Sequence, residues 1–271
     1  MSNMQKSILK PEWKDIIRKN CHFYYDYNDS DRSWFEQILI SFLRDTEFFG
    51  HRITITDEIK ITIGGWAVRM LMKLKSGSFY YSHVKVVKVY PGHDLKSGAL
   101  GEMENGIFYC QICLAWDDVK KSISNHEMGS NTVLHEFAHA LDQMDRAMNG
   151  VPAMLLRECE IKQWKTVFTP DYILNNSKGK AIWDYLGLSR WKEYDPGNSS
   201  CVDLPEMFSV ATEKYFEDAE RLNRVAPEMY EQMNILYKQD TLSSVQSPVY
   251  FDRFLDVFEK IWDFFKKLKI G

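Results

Sequence analysis

The sequence is short of every feature that would make it a membrane, secreted or polyelectrolyte-binding chain. It has 5 cysteines in 271 residues, an odd and scattered set, which does not make a disulfide scaffold. No run of about 18 uncharged apolar residues occurs, so nothing reads as a membrane span. The opening residues MSNMQKSILKPEWKDIIRKN lack the apolar stretch of a secretory signal. Excess charge is also missing. A formal net charge of -4 gives no reason to expect direct contact with nucleic acid or an anionic membrane. Internal repeats, low-complexity tracts and a Pro/Gly/Ser linker are absent as well. A reducing, cytoplasmic location and a single domain over residues 1–271 are the expectations.

What is present is ordinary globular material, with 45% hydrophobic and 27% charged residues. A chain of this length can remove roughly 75% of its unfolded surface from water, so a large core needs no staples. Trp34, Phe35, Ile38, Leu39, Phe42 and Leu43 make a helical stripe. A second helix begins after Thr56, a good N-cap, and carries Ile59, Ile63, Trp66, Ala67, Met70, Leu71 and Leu74. Gly64 and Gly65 interrupt it, and close packing is the available account. Val84 to Tyr90 is β-branched and stops at Pro91-Gly92, as a strand does. Ile107 to Trp116 is the second strand, with Phe108, Cys110, Ile112, Leu114 and Trp116 on one apolar face. From about Asn131 the chain reads helical, broken by loops at Tyr194–Asp203 and Gln239–Pro248. The pattern predicts an α+β fold, with helices and a small sheet in 1–130 and helices in 131–271.

The chemistry is concentrated at His135-Glu136-Phe137-Ala138-His139. Residues four apart share a helix face with Cβ atoms about 5–6 Å apart, so two imidazoles can reach one Zn²⁺ at about 2.0–2.1 Å. Glu136 lies about 100° further round, where it can touch a water at the metal without being a ligand. The competing reading is a pair of buried, hydrogen-bonded histidines. Accident produces this spacing in roughly one chain per hundred of this composition. The uncharged neighbours Val133, Leu134, Phe137, Ala138, Ala140 and Leu141 suit a helix buried round a deep site rather than a surface helix.

A catalytic zinc usually takes a third protein ligand and leaves one position open. Asp203-Leu204-Pro205-Glu206 opens another helix, with Asp203 as N-cap and Pro205 in the first turn. Glu206 is a candidate ligand at that entrance, yet it also fits a capping box that reaches back to the cap amide. Glu213, two turns on and on the same face, competes for the role. Asp142 is seven residues from His135; it either holds an imidazole N–H from behind or sits on the helix surface.

These residues resemble a known family. The run Asn131 to Asp142, the segment Asn149-Gly-Val-Pro152, the strand end Leu114-Ala-Trp-Asp117 and the helix Pro205 to Phe216 are similar to the Mlc titration factor A (MtfA) peptidases. Arg52 to Leu74 matches more weakly, and the two ends match in general character only. The resemblance implies a zincin with a catalytic core similar to anthrax lethal factor. It implies one zinc on His135, His139 and Glu206, with Glu136 as general base, and a cytoplasmic, aminopeptidase-like activity on peptides. It also implies a protein partner, a transcriptional repressor of sugar uptake. One departure matters: the family's tyrosine seven residues before the ligand glutamate is Ser199 here, which leaves Tyr194 as the candidate oxyanion donor.

The remaining signals read as structural. Cys110 and Cys113, three apart on a strand, face opposite ways and cannot share a metal. His22, His51, His83 and His93 have no ligand partners near them in sequence, and His126-Glu127 reads as a surface loop. The apolar stripe from Phe251 to Leu268 reads as core packing, with a detachable lid or a membrane-surface helix as alternatives, the mixed charges opposite it arguing against anionic lipid. A zinc-dependent peptidase is therefore expected, against a regulatory protein that keeps zinc but works by sequestering a repressor.

Overall fold

A computed structural model describes residues 9–74, 76–92, 110–124, 129–190, 195, 198 and 202–242. They form two compact units; the second takes Lys73–Ser76, Glu127–Ser130 and the chain from Leu141 on, and the last boundary falls inside a helix, between Ala140 and Leu141.

The first unit begins with α1 (Pro11–Asn20), α2 (Asp29–Asp45), β1 (Glu47–Gly50) and α3 (Asp57–Arg69). Asn28 caps α2 by accepting from the Asp31 amide at 2.9 Å, and Thr56 caps α3 through the Ile59 amide at 3.3 Å. The helical stripe of α2 is buried at Phe35, Ile38, Leu39 and Phe42. Trp34 is instead exposed at its edge, with the indole donating to the Met72 carbonyl. The helix read as running to Leu74 ends at Arg69, and Leu71 and Leu74 are buried in the turn that follows.

Packing explains the paired glycines of α3. A Cβ on Gly64 would stand 2.8 Å from Leu39 Cδ1 of α2, and one on Gly65 would stand 2.6 Å from Cys21 Sγ at the end of α1. Two helices close on α3 at adjacent positions, and only a residue without a side chain admits both.

The sheet holds β1, β2 (Val84–Tyr90) and β3 (Cys110–Ala115) in that order, all parallel. Parallel neighbours need a crossover, and α3 lies on the one between β1 and β2. β1 is a strand that the sequence pattern does not announce, because its four residues Glu47–Gly50 are too few to show alternation. Cys110, Ile112 and Leu114 face inward as expected, with Gln111 and Cys113 less buried. The strand ends at Ala115, however, and Trp116 opens α4 (Trp116–Ser124). The part of the expected strand from Ile107 to Tyr109 lies outside the described residues.

α5 (Thr132–Asp142) belongs to both units. Its start is capped by Asn131, whose Oδ1 accepts from the Val133 and Leu134 amides at 3.1 and 3.2 Å. Phe137 packs edge-on against Phe42 and Tyr81 of the first unit, at 5.6 and 4.9 Å between ring centres. Rings in this arrangement add to the burial of their apolar area.

The second unit is helical: α6 (Glu158–Val167), α7 (Pro170–Leu174), α8 (Gly179–Leu186), α9 (Leu204–Glu217), α10 (Ala219–Val225) and α11 (Pro227–Tyr237). Its centre is α9, buried from Met207 through Glu213 and again at Tyr215 and Phe216. Trp164 of α6 lies flat on Phe168 at 4.0 Å and edge-on to Phe208 of α9. Thr212 and Tyr237 share a hydrogen bond at 2.9 Å, and the Tyr215 hydroxyl donates to Asn234. The stripe from Phe251 to Leu268 lies outside the described residues, as do His93 and His126-Glu127. With helices in both units and one small sheet among the described residues, the chain is α+β, as its patterning predicts.

Candidate metal centre

α5 carries His135 and His139 one turn apart, and their rings turn toward each other. The two Nε2 atoms stand 3.2 Å apart, with ring centres at 4.9 Å and planes at 77°. Two nitrogens bound to one tetrahedral zinc at about 2.0–2.1 Å are separated by roughly 3.3 Å. The donor pair therefore fits a zinc ion. His139 is buried at 3% exposure, while His135 and Glu136 are partly open. Phe137, Ala138 and Leu141 of the same helix are buried, as expected of a helix set into a core.

Glu136 follows His135 on α5, about 100° further round the helix, and is partly exposed. Burial first, and then the Glu136 carboxylate, push the Cys110 thiol up to about 12. β3 pairs with β2, and no strand lies on its other side among the described residues. The CxxC is not a metal site: Cys110 is buried and Cys113 is on the more open face.

A residue that sequence reasoning treated as merely structural touches α5 directly. His83 Nε2 donates to the Ala140 carbonyl at 2.9 Å. Burial, offset in part by that carbonyl, pulls the His83 pKa down to about 4. No local signal announces this contact, because the partners are 57 residues apart. His22 packs on Trp66, and His51 on Tyr90.

In the second unit, Glu206 stands in the first turn of α9 and is partly exposed. Asp203 makes the cap by accepting from the Glu206 amide at 3.3 Å. That bond uses the backbone of Glu206. Glu213 is buried at 6% exposure, two turns further along.

Asp142 is fully buried and accepts from the Gly150 amide at 2.7 Å, which removes the helix-surface reading. Gly150 is the residue that sequence reasoning missed as a structural junction. Its φ of +76° and its contact with Leu204 are the kind of constraint that an Asn-Gly pair hints at. Tyr194 and Ser199, the two positions weighed for an oxyanion donor, lie outside the described residues. Among the described residues no helix is long and apolar enough to cross a membrane.

Comparison with known proteins agrees with this picture. Residues 2–238 match the model of a family described as glucose-regulated metallo-peptidase M90. An uncharacterized protein of Synechocystis sp. is 27% identical over 243 residues, 84% of each chain. Mlc titration factor A of Yersinia enterocolitica is 27% identical over 159 residues, 58% of this chain and 53% of its own. Its counterpart in Yersinia pestis is 27% identical over 161 residues with the same coverage. The match thus spans about half the length of the titration factors.

Proposed function

Since the chain belongs to the glucose-regulated metallopeptidase family M90, we propose that it is a zinc-dependent peptidase whose metal is held by His135, His139 and Glu206. The observation that carries this reading is the 3.2 Å approach of the two Nε2 atoms on one helix, in a chain of metallopeptidase lineage. Two imidazoles and a carboxylate are a donor set that zinc uses in peptidases, with a position left open. Zinc in such a site acts as a Lewis acid toward a carbonyl and makes a neighbouring water far more acidic.

The chain's own residues do the rest. Glu136, adjacent to a ligand but turned off the ligand face, takes a proton from water and later passes it to the leaving amine. β3, open along one edge among the described residues, offers backbone groups to an extended peptide, which can add to it as a further strand. Tyr194 supplies the phenol that steadies the oxyanion. The substrates are short peptides or exposed chain termini, cleaved in an aminopeptidase-like way in the cytoplasm by one catalytic domain.

A second reading is a binding protein that sequesters a transcriptional repressor. It is favoured by the name of the Yersinia relatives, titration factors of Mlc, and by Ser199 in place of the family's tyrosine. One experiment separates the two. Glu136→Gln alters the base and no ligand, so it is expected to keep one zinc per chain while losing chelator-sensitive peptide hydrolysis. Hydrolysis undiminished in Glu136→Gln would take the base role from Glu136, and a zinc-loaded wild type inert toward a peptide library would remove the enzyme reading.

A further inference from the structure

We propose that the turn at Gly150, gripped by the buried Asp142, is the positioning device that sets Glu206 as third ligand; this rests on the metal reading above. Asp142 is three residues beyond His139 on α5 and fully buried. A carboxylate is costly to bury unless it is hydrogen-bonded. Here its Oδ2 accepts from the Gly150 amide at 2.7 Å. On the other side of the same residue, the Gly150 carbonyl accepts from the Trp164 indole at 2.8 Å. Trp164 is itself fully buried and stacked on Phe168. Both polar groups of Gly150 are thus tied, one to the histidine helix and one to α6.

Its third side meets α9. Gly150 has φ +76°, and a Cβ there would stand 2.6 Å from the Leu204 carbonyl oxygen and 2.7 Å from its carbon. Those atoms are backbone, so no side chain can swing aside to make room. Leu204 is the first residue of α9, and Glu206 follows two residues later with its amide held by Asp203. The path runs from α5 through Asp142 and Gly150 to the peptide that launches the ligand. Each step in it is a hydrogen bond or a backbone contact, with little slack. Metal–ligand bonds tolerate errors of only about 0.2 Å, so a displacement of this turn reaches the zinc as a misplaced carboxylate.

The test measures zinc affinity of the metal-free full chain by competition with a coloured chelator. Gly150→Ala and Asp142→Ala are expected to weaken zinc by about 10–100-fold. Asp142→Asn, which keeps an acceptor oxygen for the Gly150 amide, is expected to recover most of the loss. In a Glu206→Ala background, Gly150→Ala should cost little more, because the ligand it positions is gone. Should Gly150→Ala fail to fold, Asp142→Ala and its Asn rescue, each measured with and without Glu206, carry the same test. Unchanged affinity in the single variants, or a loss just as large without Glu206, overturns the proposal and leaves the three-ligand reading standing. A wild type that binds no zinc ends both.

Discussion

Three histidines touch or belong to α5, and their environments separate them into two chemistries. His135 and His139 present Nε2 atoms to a common point, whereas His83 spends its Nε2–H on the Ala140 carbonyl. The depressed pKa of His83, about 4, has a definite sign. An unfolded chain takes up a proton near pH 6.5, and the folded one resists until about pH 4. Stability that is complete above pH 6.5 is therefore lost as pH falls through that window, by at most about 3 kcal/mol. His83→Asn, whose amide can still donate to the carbonyl, should flatten that part of the pH dependence in urea unfolding of the metal-free protein. An unchanged slope would show that His83 titrates normally. Tyr194 poses the other question at this scale. An oxyanion donor is typically worth about 10²–10³ in turnover, so Tyr194→Phe should lower kcat by that order with zinc content intact. Equal rates would clear Tyr194 of the role.

Among the elements, α3 shows how two glycines become a packing requirement. Gly65 is covered by Cys21, which is itself fully buried, so there is no solvent side into which the sulfur can move. Gly65→Ala would favour the helix by intrinsic propensity, yet overpacking a filled site typically costs about 1–3 kcal/mol. The clash is the larger effect, and the variant should be destabilised. Cys21→Ala in the same chain removes the sulfur and should restore part of the loss, which chemical denaturation of the single and double variants checks. β3 is the element with the clearest functional posture. Its inward face is filled by Cys110, Ile112 and Leu114, while one edge is without a strand among the described residues.

At the scale of the whole molecule, two compact units share one helix. The single-domain reading expects one cooperative unfolding transition, because a helix divided between units cannot melt in one alone. Zinc should bind the folded state, and free metal at 100 times its Kd stabilises by about 2.7 kcal/mol. A chelator should accordingly lower the melting temperature of the wild type and leave His139→Ala unaffected. Identical chelator responses in the two proteins would place the metal elsewhere.

The parts that the sequence determines by itself are those written in local spacing. His135 and His139 share a face because a helix repeats every 3.6 residues, and the side chains of Asn28, Thr56 and Asp203 take up orphan amides of their own helices. Val84 to Tyr90 is a strand with the limits its β-branched run suggests. Tertiary structure decided what depends on distant partners. Leu71 and Leu74 keep the helical stripe but lie in a turn, since burial is satisfied by either backbone shape. Trp116 keeps the strand's alternation but opens α4. Asp142 could have faced water or an imidazole on spacing alone, and only the fold brings the Gly150 amide to it. Long-range contacts such as His83 to Ala140 leave no periodic trace, because the chain closes them through loops whose length carries little information about what they bring together.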